Sequence, residues 1–405
     1  MNRSVTYIAV LTLVLLTFII ISFKYLMNRH QQDDKIRIGI TITNEDQRRT
    51  LKKIIPDYAD IDRAEYVELT TRWKEFFILQ NNGLQPELVF EVNKHDLIDS
   101  QFYQLSQIDS ILELLQQRFQ PIVRIEKIGE SEFYKSPING ILVSDFASQN
   151  DNRPTILLTA AHHGNELLGV NICLYILEFL CSNYGSDNRV TDWIDNLAIW
   201  LVPVVNPDGY SLVMDKSRKM IWRKNLRDNN GDGQFTPELD GVDLNRNYDF
   251  NWAKQGDQLP NSNYYAGAFP FSESEAQAIR DLARREKFKF HLDFHSAGEM
   301  ILYPRKLSSS TEDENKMISF ARELADNITK QCSIARYGIA PLNMNAGQCS
   351  SWMFNEVGAL SVIIEAGNSF FPEQHDLNRI VEENAKAAFW LFDRALKMQL
   401  EDDTL

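Results

Sequence analysis

The chain has 405 residues, of which 44% are hydrophobic and 24% are charged, and this composition is typical of a folded globular protein. Its length allows one sizeable domain and a smaller one. The formal net charge is −14. Because nucleic-acid binding needs a basic face that attracts phosphate, this acidic balance argues against a nucleic-acid partner.

One apolar segment dominates the start of the chain. Val5–Phe23 is long enough to cross a bilayer, and it ends at Lys24. The residues that follow lack the small-x-small pattern of a signal-peptidase site. We therefore interpret residues 1–30 as an uncleaved, single-pass membrane anchor.

Two signals disagree about the side of the membrane on which the rest of the chain lies. Lys24, Arg29 and Lys35 after the span outnumber Arg3 before it, which favours the cytoplasm. An N-terminal anchor ahead of a long soluble domain is instead typical of export. We predict an extracytoplasmic location and keep the cytoplasmic one as the alternative.

Residues 35–95 have the pattern of a small α/β unit without a cluster of His, Asp and Glu, so we expect a structural or docking role for them. Gly83 is suited to end the second helix of the unit. The predicted strand, two helices and strand are Ile36–Thr41, a helix from Asn44, Arg72–Asn81 and Leu88–Phe90.

Residues 101–400 alternate between amphipathic and apolar runs, which predicts one larger α/β domain. A long helix, Asp376–Met398, should close it, with Glu401–Asp403 as a solvated tail. The other predicted elements are a helix at Ser106–Gln117 and strands at Ile122–Ile128, Gly140–Ser144, Thr155–Thr159 and Ala198–Val205.

The four cysteines have no CxxC spacing of a metal site or a redox centre. We interpret Cys173 and Cys181 as buried helix residues. A disulfide between Cys332 and Cys349 remains open.

His163 and Glu166 lie where an apolar strand pattern gives way to a helix pattern, so their side chains can turn toward one point. An imidazole and a carboxylate are ligands of catalytic zinc. A third donor, His295, ends the apolar run Phe288–Phe294. Three protein ligands leave one position open for water. We interpret the neighbouring His162 and His291 as non-ligands.

Further motifs follow these residues in a fixed order. Together they resemble the carboxypeptidase A-like zinc metallocarboxypeptidase family over roughly residues 101–398. The motifs are His163-Gly164-Asn165-Glu166, Asn206-Pro207-Asp208-Gly209-Tyr210, Trp222-Arg223-Lys224-Asn225, Gly241-Val242-Asp243-Leu244-Asn245-Arg246-Asn247, Phe271-Ser272-Glu273-Ser274-Glu275, His295-Ser296 and Glu365.

The resemblance implies an α/β, mixed-sheet zinc carboxypeptidase fold, preceded here by the transmembrane helix and the small α/β domain. That small domain resembles the N-terminal domains that precede many zinc carboxypeptidases. The implied activity is hydrolysis of C-terminal peptide bonds by a zinc-activated water. The implied substrate is a peptide, or a peptide-like molecule, with a free C-terminal carboxylate.

By the same resemblance, His163, Glu166 and His295 hold one Zn²⁺ per chain, and Glu365 is the general base. Glu365 ends a β-branched run that is otherwise suited to full burial. A carboxylate that is desolvated beside a cation suits proton transfer.

The resemblance assigns Arg223 to the developing oxyanion, and Asn245 with Arg246 to the substrate's terminal carboxylate. A guanidinium is permanently charged and grips a carboxylate through two parallel hydrogen bonds. The Asn245–Arg246 pair distinguishes a carboxypeptidase from a general zinc amidase.

Two positions depart from the family pattern. The family places a mobile tyrosine in the segment corresponding to Pro341–Trp352, which has none; Asn343 is nearest that position, and Tyr337 is farther back. Ser350 stands where relatives have a residue of the specificity pocket. Its small neutral side chain supplies neither a countercharge for a basic terminal residue nor a large apolar wall.

The segment Asp228–Asp240 resembles the start of a calcium loop, with Asp228, Asn230 and Asp232 at the first, third and fifth positions. The twelfth position is Leu239 instead of the expected Glu. A Ca²⁺ site and an acidic surface turn both remain open.

Three functions are consistent with these observations. The first is a membrane-anchored zinc metallocarboxypeptidase. The second is an amidase or endopeptidase of the same fold that acts on peptidoglycan stem peptides or other modified peptides. The third is a non-catalytic, membrane-tethered binding domain.

Overall fold

The chain folds into two compact units, Met1–Asn93 and Lys94–Leu405. The computed structural model describes residues 35–56, 61–62, 66–72, 75, 78–79, 82–84, 86–88, 101–147, 152–215, 217–218, 220–252, 259–305, 311–330, 334–342 and 346–402.

The predicted membrane span, Val5–Phe23, lies outside the described residues. Within the described residues, no helix combines the length and the apolar character that a bilayer crossing requires. The anchor therefore stays a prediction.

The first unit contains an antiparallel sheet of four strands in the order β2-β3-β1-β4. Helix α1 (Glu45–Ile54) begins where Asn44 accepts a hydrogen bond from the backbone N–H of Gln47, as an N-cap residue does. The strands are β1 (Lys35–Thr41), β2 (Ile61–Asp62), β3 (Tyr66–Arg72) and β4 (Pro86–Leu88).

The second unit is built on a mixed sheet of eight strands in the order β11-β10-β12-β9-β7-β8-β6-β5. The four strands β12, β9, β7 and β8 form its parallel centre. The strands are β5 (Val123–Glu130), β6 (Pro137–Val143), β7 (Thr155–Ala160), β8 (Ala198–Val202), β9 (Phe290–His295), β10 (Met300–Tyr303), β11 (Gly338–Pro341) and β12 (Leu360–Glu365).

Helices cover both faces of this sheet, as a parallel sheet requires. Successive side chains of β7 enter two different cores, because strand residues alternate between faces: Ile156 and Leu158 join one core, and Leu157 joins the other. The helices are α2 (Leu105–Arg118), α3 (Leu168–Asn183), α4 (Asn188–Asn196), α5 (Pro207–Met214), α6 (Ser274–Glu286), α7 (Thr311–Ala325), α8 (Cys349–Trp352) and α9 (Gln374–Asp402).

The mixed α/β fold predicted from the sequence is confirmed, with differences at the ends of elements. Helix α9 extends to Asp402, so the predicted helix end at Met398 is wrong, and Glu401 and Asp402 of the predicted tail are helical. Strand β8 ends at Val202, before the predicted Val205. The regular pairing of β8 with β7 ends at Val202, and farther along the chain the Val205 N–H donates to the carbonyl of Ala160.

The cysteine predictions are resolved in part. Cys173 and Cys181 are buried in α3, as expected. Cys349 is a free buried thiol, so the disulfide alternative for it is wrong. Its predicted partner, Cys332, lies outside the described residues.

Candidate active site

The carboxyl ends of the central parallel strands bring the predicted metal ligands together. The chain leaves β7 at Ala160 and enters α3 at Leu168, so His163 and Glu166 lie in the connection. His295 is the last residue of the neighbouring strand β9. Ligand sites of parallel sheets form at this edge because the loops that follow adjacent strands converge there.

The three side chains converge on one point. Glu166 Oε1 lies 2.8 Å from His163 Nδ1, and Glu166 Oε2 lies 2.7 Å from His295 Nδ1. The two Nδ1 atoms are 3.1 Å apart. All three residues are buried. Two buried imidazole nitrogens and a carboxylate that face one another in this way match the donor set and the geometry of a three-ligand zinc site.

The outer nitrogen of each ligand imidazole faces a carboxylate. His163 Nε2 lies 3.2 Å from Asp243 Oδ1, and His295 Nε2 lies 3.0 Å from Asp293 Oδ2. A carboxylate only accepts hydrogen bonds, so each Nε2 carries the proton and each Nδ1 lone pair is directed to the metal position. Neither carboxylate is among the site residues predicted from the sequence.

Asp293 accepts from three side chains. Besides His295, it accepts from Thr159 Oγ1 at 2.7 Å and from His162 Nδ1 at 2.9 Å. Burial alone would raise the pKa of Asp293, but His162 and His295 lower it well below its usual range. The other nitrogen of His162, Nε2, lies 2.9 Å from the hydroxyl of Tyr248. Both nitrogens of His162 are therefore engaged by the protein.

A buried chain of hydrogen bonds continues from Asp293 to Ser350. Because Thr159 donates to Asp293, it accepts from His291 Nε2 at 2.8 Å. His291 Nδ1 then accepts from Ser361, which lies 2.8 Å from it and 2.8 Å from Ser350 Oγ. Burial lowers the pKa of His291 to about 4, so the ring is neutral and can both donate and accept.

Arg223 lies beside the metal ligands. Its Nε and Nη2 atoms each lie 3.0 Å from Asp243 Oδ2, and its Nη1 lies 3.4 Å from Glu166 Oε1. Burial alone would lower the pKa of Arg223, but the two carboxylates raise it above its usual value. The group is a fixed cation at the edge of the site.

A short 3-10 turn, Leu244–Arg246, carries the predicted carboxylate-binding pair. Asp243 Oδ1 accepts from the backbone N–H of Asn245 at 3.0 Å and so caps the turn. The side chain of Asn245 accepts from the backbone N–H of Cys349 at 2.8 Å. Arg246 donates from Nη1 to the carbonyl of Asn245 at 2.7 Å.

Glu365 is the last residue of β12, and its Cα pairs with that of His295 in the parallel ladder. The four residues before it are buried, whereas Glu365 itself is partly exposed. Glu365 and the predicted metal ligand His295 therefore end neighbouring strands at the same edge of the sheet.

The remaining predicted positions have different surroundings. Ser350 is fully buried, and its hydroxyl bonds to Ser361, so its role as a substrate contact stays a prediction. Asn343 lies outside the described residues. Tyr337 is buried, and its hydroxyl bonds to the Gly367 N–H and to Asn384, so it is fixed in the core and not mobile.

The proposed calcium loop uses its first carboxylate internally. Asp228 accepts from the backbone N–H groups of Gly231 at 2.6 Å and Gly233 at 2.7 Å. Asp232 accepts from the Gln234 N–H at 2.8 Å. These contacts are those of a self-supporting acidic turn, and calcium binding stays a prediction.

A period of two along β9 could have identified the missed residues. His291, Asp293 and His295 alternate along the strand, so their side chains point to the same face. Three polar residues on one face of a fully buried strand require partners, because an unpaired buried polar group is costly. Asp243 lies in the motif Gly241–Asn247, which also carries Asn245 and Arg246.

A comparison with known families agrees with this geometry. The profile of the family described as zinc carboxypeptidase matches residues 108–387. The chain belongs to the zinc carboxypeptidase family. The resemblance inferred from the motifs is thereby confirmed. Binding of zinc is a property of this family, and His163, Glu166 and His295 fit that ion.

Two curated relatives and one solved structure illustrate the range of similarity. The inactive metallocarboxypeptidase ECM14 of Saccharomyces cerevisiae is 30% identical over 223 residues, which are 54% of this chain and 50% of the relative. Carboxypeptidase B of Helicoverpa zea is 31% identical over 208 residues, or 50% and 46% of the two chains. The chain thus spans about half the length of these two curated relatives.

The crystal structure of thrombin-activatable fibrinolysis inhibitor superposes with a TM-score of 0.71 at 21% identity, covering 90% of this chain and 99% of that one. Such a similarity supports the fold alone. Because one relative is named inactive and another a carboxypeptidase, the activity of this chain must be argued from its own residues.

Proposed function

We propose that the protein is a zinc-dependent metallocarboxypeptidase that removes the terminal residue from peptides with a free C-terminal carboxylate. One observation supports this most directly: Asp243 Oδ1 contacts both His163 Nε2, at 3.2 Å, and the N–H of Asn245, at 3.0 Å. The same carboxylate thus orients a metal ligand and caps the turn that carries Arg246. Asp243 thus ties the turn that carries Arg246, which would bind the substrate's carboxylate, to one of the metal ligands.

The residues around the site divide the chemistry. Zinc, when bound, supplies a Lewis acid that polarises the scissile carbonyl and makes water acidic. Glu365 accepts the proton of the attacking water and delivers it to the leaving amine. Arg223 donates to the oxygen on which negative charge develops. Arg246 and Asn245 bind the terminal carboxylate of the substrate.

One relative is named an inactive metallocarboxypeptidase, so catalytic activity is itself part of what we propose. This chain carries Glu365 at the end of β12, opposite His295 in the parallel ladder, and a proton acceptor is needed near that position. Arg223 is also present and charged. A purely binding protein would have no need of this combination.

The amidase alternative differs in its need for a free carboxylate. In a site shielded from water, truncating one partner of a bidentate guanidinium–carboxylate pair costs on the order of 2–5 kcal/mol. We therefore expect Arg246→Ala to reduce kcat/KM on a free-acid peptide by at least about 30-fold, with little change on the matching C-terminal amide.

The measurement compares kcat/KM on such a pair of peptides for the wild type and Arg246→Ala. A control is Arg285→Ala, which removes a half-exposed arginine paired with Glu126 and Glu286. Equal losses on the acid and the amide, or efficient cleavage of internal bonds by the wild type, would replace the carboxypeptidase by the amidase or endopeptidase.

We further propose that Val5–Phe23 anchors the protein in a membrane, with the catalytic unit on the extracytoplasmic side. The support is the length and apolar character of this segment. Extraction of membranes with carbonate, followed by protease treatment of intact cells, tests both parts. Release by carbonate would exclude the anchor, and protection of the catalytic unit would place it in the cytoplasm.

A further inference from the structure

Tyr264 contacts two arginines of the proposed site, Arg223 for the developing oxyanion and Arg246 for the substrate's terminal carboxylate. The centre of its ring lies 5.3 Å from Cζ of Arg223 and 5.6 Å from Cζ of Arg246. At such distances the negative face of an aromatic ring attracts a guanidinium. One side chain therefore connects the cation beside the metal ligands with the cation of the carboxylate anchor.

The backbone around Tyr264 is tied to the segments that carry these arginines. The N–H of Asp243 donates to the carbonyl of Tyr265 at 2.8 Å. Lys224, the neighbour of Arg223, donates from Nζ to the carbonyl of Pro260 at 2.6 Å. On the other side, the carbonyl of Ala266 accepts from Asn247 Nδ2 at 2.8 Å and from Trp252 Nε1 at 3.0 Å. Tyr264 is thus fixed in place and is not a residue of a free loop.

An aromatic ring is suited to hold two cations that must stay available. Burial and the charge of Arg223 lower the pKa of Arg246, whereas Asp243 raises it, so the two guanidinium groups repel each other within the site. A second carboxylate would hold the two guanidinium groups together, but it would compete with the substrate for the N–H groups of both arginines. A ring attracts both without taking those hydrogen bonds.

Tyr264 is more exposed to solvent than the metal ligands of the site. The residue is 54% exposed, whereas His163, Glu166 and His295 are buried. Tyr264 belongs to a different loop from the segment Pro341–Trp352. The family resemblance predicts a tyrosine in that segment, which has none.

We propose that Tyr264 is a positioning residue that sets the spacing of Arg223 and Arg246, and thereby holds the substrate's terminal carboxylate one residue away from the bond to be cleaved. This inference rests on the proposed function. It assigns the effect to the face of the ring and not to the hydroxyl. It also predicts an effect on substrate binding that exceeds the effect on turnover.

The first test is steady-state kinetics of the zinc-loaded protein on free-acid peptides. Tyr264→Leu keeps an apolar side chain but removes the ring, and should raise KM on the order of tenfold while kcat changes less than about threefold. Tyr264→Phe keeps the ring and should stay within about twofold of the wild type. Tyr134→Leu is the matched control, because Tyr134 is 51% exposed and packs against Phe133.

The second test measures, by calorimetry, the binding of a peptide that has a free C-terminal carboxylate and whose last peptide bond is reduced, so that it cannot be cleaved. The Kd should weaken in Tyr264→Leu by the same factor as KM, and Tyr264→Phe should restore it. A wild-type Kd in Tyr264→Leu, a Phe variant as weak as the Leu variant, or a loss confined to kcat would each overturn the inference. Failure of the wild type to hydrolyse any peptide would instead refute the proposed function, while the binding comparison would still decide the role of Tyr264.

Discussion

At the scale of single residues, two carboxylates determine which nitrogen of each predicted histidine ligand carries the proton. Asp293 and Asp243 accept only, so the outer nitrogens of His295 and His163 must donate to them. This arrangement directs both inner nitrogens to the metal before any metal arrives. Preorganisation of this kind removes the cost of ordering the ligands on binding.

Replacement of Asp293 tests this arrangement. Asp293→Asn keeps the size of the side chain but presents an amide N–H group to donors, so His295 loses its fixed tautomer. We expect zinc affinity to fall by about 10- to 100-fold, measured by competition with a chromogenic chelator. Asp208→Asn, at a buried carboxylate bonded to Ser131 and the Phe133 N–H, is the control and should leave zinc affinity unchanged. Zinc affinity equal to that of the wild type in Asp293→Asn would contradict this account.

Under the proposed function, replacement of Glu365 should separate zinc binding from catalysis. Glu365→Gln keeps the volume but cannot accept a proton, so turnover should fall by roughly 10²- to 10⁴-fold while zinc content stays unchanged. Peptide hydrolysis and elemental analysis of the same preparation provide the two measurements. Wild-type turnover in this variant would mean that another group is the base.

At the scale of elements, close contact between backbones fixes the turn that carries Arg246. Gly347 has φ +61°, and a Cβ atom there would lie 1.9 Å from the carbonyl oxygen of Arg246. The Tyr248 N–H donates to the carbonyl of Gly347 at 3.0 Å, and the Gly347 N–H donates to the carbonyl of Phe250 at 2.8 Å. The turn and the segment before α8 therefore hold each other in place.

Gly347→Ala should displace this turn without touching the metal ligands. Because small displacements of substrate-positioning groups are costly, we expect kcat/KM on free-acid peptides to fall by about 10- to 100-fold with full zinc content. Gly358→Ala is the matched control. Gly358 also has positive φ, +84°, but a Cβ there would meet nothing within 4 Å, so this variant reports backbone strain alone. Equal losses of activity in the two variants would show that strain, not displacement, is the cause.

At the scale of the whole second unit, Lys94–Leu405, a buried carboxyl group links three distant segments. Glu275 Oε1 accepts from the Glu132 N–H at 3.0 Å, and its Oε2 lies 3.3 Å from Asn225 Nδ2. Burial, followed by the nearby charge of Glu273, raises the pKa of Glu275 to about 8. The protonated side chain of Glu275, at the start of α6, thus connects this helix with the β5–β6 turn at Glu132 and with the loop that contains Asn225.

This shift predicts a dependence of stability on pH. Above its ordinary pKa of 4.5, Glu275 is ionised in the unfolded chain but keeps its proton in the folded one up to a pH of about 8. The folded state therefore binds more protons, and the free energy of unfolding falls as pH rises through this window, with a limiting slope of about 1.4 kcal/mol per pH unit. Glu275→Gln should remove this contribution.

Urea unfolding of the wild type and Glu275→Gln across this pH range isolates the effect, because all other titrating groups are common to both proteins. The difference between their free energies of unfolding should change in favour of the variant as pH rises. Parallel pH profiles would mean that Glu275 is ionised in the folded protein.

The sequence by itself determined the local features of this protein. Strands and helices followed from the period of apolar residues, and the convergence of His163, Glu166 and His295 was predictable because each ends or follows a strand pattern. The family also followed from the order of short motifs, since each preserves a local chemical requirement.

The tertiary structure decided which of these features meet. The register of β7, β9 and β12 places Thr159 beside Asp293, and His291 beside Ser361, and so builds the buried chain that ends at Ser350. Tyr264 meets Arg223 and Arg246 only through folding of its loop onto their segments. Strand order and loop packing depend on the whole core, because contacts between residues distant in sequence leave no periodic signal in any one segment.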